Sequence, residues 1–561
     1  MTFSLTSLFN SQTKWLEAKQ NNILSAASVI TSASMLSAMA GLIVKRVLNF
    51  YYYDSAEKAL DTFWLAFQIP DLMFQLIVIG ALSAAFIPIF TEYKKKNSEK
   101  AFFMSSIMMN ILLLVFIVIA IFVYIFAKQI TILRTGSEIS PEQINIIVNL
   151  TRIMLWSQFF FAISNFMTGI LQSFQRFIIP AIAPLFYNFG ILIGVFLFSH
   201  SLGIYAAGLG VLIGAFLHMS IQLPLVFKLG FKYNFSLNIK YPGIKKFFKI
   251  MPPRVISIGS GELRKIMLGF FTTSVGMGSY TLILYALTLI AIPIRFFGVP
   301  IGQASLPFLS EEAEEKDKQK FKNLVLQSLH QISFLTLPSS ILLLILRIPV
   351  VRLVFGTKQF PWEDTILLGK LVAIIAISVV AQALVHLLSR AFYALKDTKT
   401  PLMISLVDLS LYLSLASYFV FISRQGLYGL ALATTITAFV ELILLLVFLN
   451  RKIKGFVSRA LWVPQIKIIS ASFFMAIFLY LPYKIFDELI FDTSRTVELI
   501  GLTLTTSTIG LLVYIYFALL FDIWELKIFT GLISKFGPWK KTLSETQEIL
   551  VESSTDNPDT I

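Results

Sequence analysis

Four charges fall within twelve residues: Arg254, Glu262, Arg264 and Lys265. Arg254, Glu262 and Lys265 are spaced by eight and three, which puts them near one face of a helix. The surrounding sequence is strongly apolar, and an ionisable group in hydrocarbon costs several kcal/mol unless it faces water or a partner. Such a face therefore lines water, a substrate, or both. Lys45-Arg46 forms a second basic pair, followed like Arg264-Lys265 by an apolar and aromatic run, and Arg295 adds a further cation. The nearby acids are Asp61, Asp71 and Glu262, fewer than the basic groups around them. The excess charge calls for an anionic guest. Phosphate or diphosphate fits best, because guanidinium and ammonium groups match it in charge and geometry. The expected substrate-binding set is Lys45, Arg46, Asp61, Glu262, Arg264, Lys265 and Arg295, with Asp61 or Glu262 holding the basic groups between substrates. Arg152, Lys370, Asp408 and Glu441 read as snorkelling or structurally paired charges.

These residues sit in a chain of 561 residues that is 57% hydrophobic and only 14% charged, against roughly 25% charged in a typical soluble domain. A soluble globule cannot hide that much apolar surface, so the fold class is an all-α polytopic membrane protein. Fourteen transmembrane helices are expected, near 22–50, 59–92, 101–127, 144–173, 178–198, 204–227, 247–275, 279–308, 323–349, 366–393, 401–422, 427–449, 465–483 and 498–521. The even-numbered loops hold about 21 Lys and Arg and the odd-numbered about seven, which predicts cytoplasmic N- and C-termini. The net charge of +15 is then a property of membrane-flanking loops and not a nucleic-acid footprint.

Several chemistries are excluded or disfavoured. Without cysteine there is no disulfide or thiolate site, and the four histidines, His200, His218, His330 and His386, are too scattered to form a ligand cluster. No Gly-rich phosphate loop with Lys-Ser/Thr occurs, so neither nucleotide hydrolysis nor a cofactor is expected. The acidic run Glu311-Glu312-Ala-Glu314-Glu315 is interleaved with lysines and reads as a solvated loop, not a catalytic centre, so no enzyme activity is expected.

An internal repeat organises the spans. Gly203 to Val226 aligns without a gap on Gly426 to Leu449 at an offset of 223, matching Gly203/Gly426, Tyr205/Tyr428 and Ala215/Ala438. The same offset relates Pro70 to Pro293. A six-helix unit repeated in the same orientation predicts two lobes, 1–228 and 229–450, around a central cavity, an arrangement found in transporters. Residues 451–521 add two helices outside the repeat, and 522–561 form a tail. Pro70, Pro293, Gly298, Pro300 and Gly302 are the expected hinge positions, because proline frees backbone groups inside a span.

Three stretches resemble the MurJ/MviN family of lipid II flippases. The first runs from Lys45-Arg-Val-Leu-Asn-Phe50 through Asp61-Thr-Phe-Trp-Leu-Ala-Phe-Gln-Ile-Pro70 to Gly80-Ala-Leu-Ser-Ala-Ala-Phe-Ile-Pro88. The second is Tyr285-Ala286 through Pro293, then Gly298 to Ser310. The third, and most specific, is Phe355-Gly356 with Phe360, then Arg390-Ala-Phe-Tyr-Ala-Leu-Lys-Asp-Thr-Lys-Thr-Pro401. The resemblance implies the MOP-superfamily fold, a polyprenyl-tail groove at the last two helices, and export of lipid-linked peptidoglycan precursor across the bacterial inner membrane. The implied partners are a lipid-linked diphosphate glycan, membrane lipids and a coupling ion. Arg46 and Asp61 match family positions. Tyr52, Phe74 and Thr288 stand where the family carries arginines, and Ala291 stands where it carries a glutamate. Lys45, Arg264, Lys265 and Arg295 supply charge from other positions. The departures keep two other readings open: an exporter of a different polyprenyl-diphosphate glycan, and a homologue that has lost transport.

Overall fold

The structure, a computed structural model, describes residues 23–54, 58–76, 86–314, 318–493 and 495–527. Residues 80–85 of the first family stretch, Glu315, Lys316, the side chain of Arg254 and most of the tail lie outside the described residues. All regular elements among the described residues are helical. In chain order they are α1 (Ile23–Tyr52), α2 (Ala59–Phe74), α3 (Ile87–Lys96), α4 (Ser98–Ile125), α5 (Ala127–Arg134), α6 (Pro141–Ser173), α7 (Ile178–Leu202), α8 (Tyr205–Ser220), α9 (Leu223–Lys228) and α10 (Pro242–Val275). There follow α11 (Ser279–Pro293), α12 (Val299–Glu312), α13 (Gln319–Ile345), α14 (Arg347–Phe355), α15 (Trp362–Ala376), α16 (Val379–Ala394), α17 (Lys399–Ser417), α18 (Gly426–Lys452), α19 (Arg459–Leu489) and α20 (Thr496–Leu520).

Eleven spans among the described residues are long and apolar enough to cross a membrane, or twelve if α15 and α16 count as one span bent by 43°. The other two expected spans fall short for identifiable reasons. The span 59–92 crosses residues outside the description. Helix α10 is 34 residues long, but its charges lower its apolarity. The chain is a multi-span, all-helical membrane protein.

Contacts divide it into two compact units. The first comprises Met1–Leu284, Val354–Thr365 and Leu413–Leu430; the second comprises Tyr285–Leu353, Ile366–Tyr412 and Ala431–Ile561. Helix α10 thus packs within the first unit. There the core is aromatic: Phe102 stacks on Phe174 at 5.9 Å, and Phe86 meets Phe166 edge-on at 5.2 Å. Buried polar groups on α6, α8 and the turn after it satisfy one another. Ser164 Oγ lies 2.6 Å from His218 Nδ1, Gln222 Nε2 donates to Ser164 at 2.6 Å, and Thr168 donates to Gln222 at 2.9 Å. This fixes His218 as a packing residue and not a ligand.

Helices α7 and α8 approach until their backbones touch. A Cβ on Gly190 would collide with the Gly214 backbone, and one on Gly194 with Gly210. Both pairs have the i, i+4 spacing of close-packed membrane helices. In the second unit α13, α19 and α20 share a core of Phe334, Ile468, Met475, Leu479 and Tyr514. His330 ties α13 to α19: Gln465 Nε2 donates to its Nδ1 at 2.9 Å, and its Nε2 donates to the Ala460 carbonyl at 3.1 Å.

Two pairs of positions far apart in the chain share local geometry. Gly203, before α8, has φ 53°, and Gly426, at the start of α18, has φ 56°. Left-handed backbone of this kind favours glycine. Helices α6 and α16 end alike, with Gln175 and Lys396 both at φ 59° and the next amide bonding back to the carbonyl five residues earlier.

Candidate functional site

Charged groups of the first unit fall into two clusters with different geometry. In one, the Asp61 carboxylate closes the start of α11. It accepts the Gly278 amide at 2.7 Å, the Tyr280 amide at 3.3 Å, the Thr281 amide at 2.7 Å and the Thr281 hydroxyl at 2.5 Å. The first turn of a helix carries unpaired N–H groups and partial positive charge, which a carboxylate satisfies on both counts. Asp61 is 1% exposed, so its four bonds substitute for solvation. The sequence assigns it to holding basic groups; the structure places it against backbone amides.

One and two turns further along α2 lie Leu65 and Gln68. The Gln68 Nε2 donates to the Tyr280 hydroxyl at 2.8 Å and the Lys265 carbonyl at 3.1 Å. Its Oε1 accepts from Arg134 Nη1 at 2.6 Å, while Arg134 Nη2 donates to the Leu65 carbonyl at 2.8 Å. The buried Arg134 thus ties the short helix α5 to α2, and Gln68 in turn joins α2 to the first turn of α11 and to α10. Sequence reading passed over it, because hydropathy puts it in a loop and nothing nearby signals a partner 66 positions away.

The second cluster lies on α10. Lys265 Nζ bonds Glu262 Oε1 at 2.7 Å and lies 4.0 Å from Asp71 Oδ2. The two acids are mostly covered, with side chains 10% and 27% exposed, but Lys265 is 56% exposed. This cation is held from one side and open on the other. Arg264 beside it is half-buried and engaged by other groups, as are Lys45 and Arg46 of α1. Lys45 Nζ also lies 5.6 Å from the Trp64 ring centroid, within cation–π range. Tyr52 is buried. Nearby, Asn49 donates to the Phe355 carbonyl at 3.0 Å and Tyr53 to Asp364 at 2.8 Å, tying the end of α1 to 354–365. Arg295 belongs to the second unit, where it is exposed on a π-helical turn, Ile294–Gly298.

Of the expected hinge residues, Pro293 and Gly298 adjoin or end a π-helical turn. Pro70 lies inside α2, and π-type backbone begins at Gln75. Pro293 ends α11 directly before the π-helical turn, and Pro300 occupies the first turn of α12. The glycines serve contact. A Cβ on Gly298 would meet Ala383 at 2.8 Å, and one on Gly302 would lie 3.3 Å from Arg390 Nη1. They let α12 approach α16 closely.

The most specific family stretch proves to be a helix cap in the α16–α17 loop. Asp397 accepts the Thr400 amide at 3.0 Å and the Thr400 hydroxyl at 2.7 Å, and pairs with Lys452 of α18 at 2.5 Å. Burial pushes its carboxyl up, but Lys452 and the Thr400 donors outweigh this and hold it at about 2.

With this geometry in place, comparison with known proteins is decisive for family. The family model described as lipid II flippase MurJ matches residues 53–499. The chain belongs to the MurJ family. A probable lipid II flippase MurJ of Bdellovibrio bacteriovorus is 26% identical over 510 residues, covering 90% of this chain and 95% of that protein. The lipid II flippase MurJ of Burkholderia cenocepacia is 26% identical, covering 77% and 84%. Among solved structures, a lipid II flippase MurJ in an inward closed conformation matches with TM-score 0.72 and 24% identity, over 88% of this chain and 98% of that one. An inward-facing multidrug transporter of the MATE family, of the MOP superfamily, matches at TM-score 0.60 and 15% identity, over 77% and 98%.

Proposed function

We propose that this MurJ-family chain moves lipid II from the inner to the outer leaflet of a bacterial cytoplasmic membrane by alternating access, with both termini cytoplasmic. The single observation that carries the reading is the family match across nearly the whole membrane region, residues 53–499. The α10 cluster supplies a plausible chemistry. Glu262 and Asp71 hold Lys265 while no substrate is bound; an incoming diphosphate competes for the open side of that ammonium, assisted by Arg264, Lys45 and Arg46. Charge-assisted bonds to phosphate oxygens are roughly twice as strong as neutral ones, so the exchange costs little. No group in this scheme makes or breaks a covalent bond, so the chain acts as a transporter and not as an enzyme.

Residues 1–228 and 229–450 are read as the repeated lobes, and α19–α20 within 451–521 as the binding element for the polyprenyl tail. The paired left-handed residues Gly203/Gly426 and Gln175/Lys396 support the repeat. Apolar side chains left open on α19 and α20, among them Phe473, Ile477, Leu512 and Tyr516, support the tail reading. The test is complementation of a bacterium depleted of its own lipid II flippase, paired with a leaflet-accessibility assay for lipid II. Restored growth and outward movement are expected; folded, membrane-inserted protein that restores neither overturns the proposal. Tyr52, Phe74, Thr288 and Ala291 favour one second reading, another polyprenyl-diphosphate glycan as cargo. In that case lipid II fails and the other glycan lipid moves in the same assay.

A further inference from the structure

Arg152 is a charge that the transport scheme leaves unused. It lies on α6, and its guanidinium stacks over the Tyr124 ring at 4.8 Å while its Nε donates to the Tyr124 carbonyl at 3.2 Å. No carboxylate pairs with it among the described residues. Tyr124 is the penultimate residue of α4, so this cation sits at the level where that span ends. One turn along α6, Trp156 is 65% exposed. An apolar groove opens here between α4 and α6, with a volume of about 260 Å³. It is lined by Phe116, Ala120 and Tyr124 on one side and by Leu155, Trp156 and Phe159 on the other. From Phe116 to Tyr124 the groove runs about 12 Å along the helix. It takes part of one hydrocarbon chain, not a folded protein segment.

We propose that this groove is a binding site for one anionic glycerophospholipid, with an acyl chain between α4 and α6 and its phosphate on Arg152. Three observations converge on that occupant. The lining is hydrocarbon and aromatic, which suits a methylene chain. Against the lining residue Tyr124 stands one cation with no carboxylate partner among the described residues, which suits a single phosphate better than a diphosphate. Tyr124 and Trp156 flank that cation, and amphipathic rings of this kind settle at headgroup level. A snorkelling arginine needs only the first and last of these features, so lipid selectivity separates the two accounts.

The full-length chain is reconstituted in phosphatidylcholine nanodiscs containing a low mole fraction of either dibrominated phosphatidylglycerol or dibrominated phosphatidylcholine. The chain has seven tryptophans, so the Trp156 signal is taken as the difference between wild type and Trp156→Phe. Brominated phosphatidylglycerol is expected to quench that signal at a roughly five-fold lower mole fraction than brominated phosphatidylcholine, the preference one interfacial basic residue confers. Arg152→Gln should erase the preference, and Arg152→Lys should keep most of it. Ala120→Phe, which fills the groove, should weaken quenching by both lipids. Circular dichroism and monodisperse elution establish that each variant is folded. Equal quenching by the two lipids in wild type means that Arg152 only snorkels, and overturns the proposal. So does a preference that survives Arg152→Gln, quenching indifferent to Ala120→Phe, or displacement by millimolar inorganic phosphate, which would mean a headgroup site without a chain.

Discussion

Asp61 and Glu262 are both buried carboxylates in the apolar interior of the same unit, yet their surroundings differ in kind. Asp61 faces backbone amides and a hydroxyl that cannot leave, because they belong to the first turn of α11. Glu262 faces one flexible ammonium, which is itself more than half exposed. The first acid is a structural part of the helix junction. The second holds a partner that a competitor can take. A charge in a membrane span is therefore no guide to function until the mobility of its partners is known.

Removing Asp61 should produce the largest effect. Asp61→Ala strands buried donors at the start of α11 and should cost about 3 kcal/mol, read as a lower melting temperature and a lower folded yield in detergent. A variant that melts like wild type and loses only transport would reverse the contrast. Arg134→Met comes next, at about 2 kcal/mol, because Gln68 and the Leu65 carbonyl lose a buried charged donor. Its signature is thermal, with transport by the surviving folded fraction preserved.

Lys265→Ala and Glu262→Gln should behave oppositely. Lys265 itself is largely exposed, so stability should fall less than for Asp61→Ala, while lipid II movement should fall at least about ten-fold, equivalent to about 1.4 kcal/mol. An Arg46→Ala/Arg264→Ala double variant should also lose transport, and lysine at both positions should rescue it only partly, since lysine cannot bind a phosphate bidentately. If either set transports at the wild-type rate, the α10 cluster is as structural as the Asp61 cap.

The smallest effect concerns Asp397. Its carboxyl is held at about 2, below the ordinary 3.8. A depressed carboxylate value stabilises the folded state above the ordinary value, and that contribution disappears as pH falls toward the folded one. Melting temperature should thus be insensitive to this group above about pH 4 and decline below it. Asp397→Ala, losing a helix cap, should flatten that decline at a cost of about 1 kcal/mol.

What the sequence disclosed follows the range of the interactions. Spans are carried by hydropathy, and glycines 203 and 426 share a local backbone need, so they could be paired before their φ angles were known. The charge density of α10 was equally visible, and Glu262 meets Lys265 because they are three apart on one helix. Asp61 was visible as a charge but not as a cap, since its donors lie 217 to 220 residues away. Gln68 carried no signal at all, being neutral and chemically ordinary until Arg134 and Tyr280 are brought to it. The close approach at Gly298 and Gly302 was not visible either, because Ala383 and Arg390 come to them from a distant helix.

The glycine-to-glycine contact of α7 and α8 bears on how the chain is made. Two adjacent spans joined by the single left-handed turn at Gly203 can zip together as soon as the second leaves the translocon, before α10 or anything after it exists. In lipid no hydrophobic drive brings helices together, so this backbone fit is what selects the partner. The hairpin is then a prefabricated piece that later spans assemble against. An alanine at Gly210 or Gly214 would act chiefly as an assembly defect, evident in yield and protease sensitivity during synthesis and muted in molecules that have already matured.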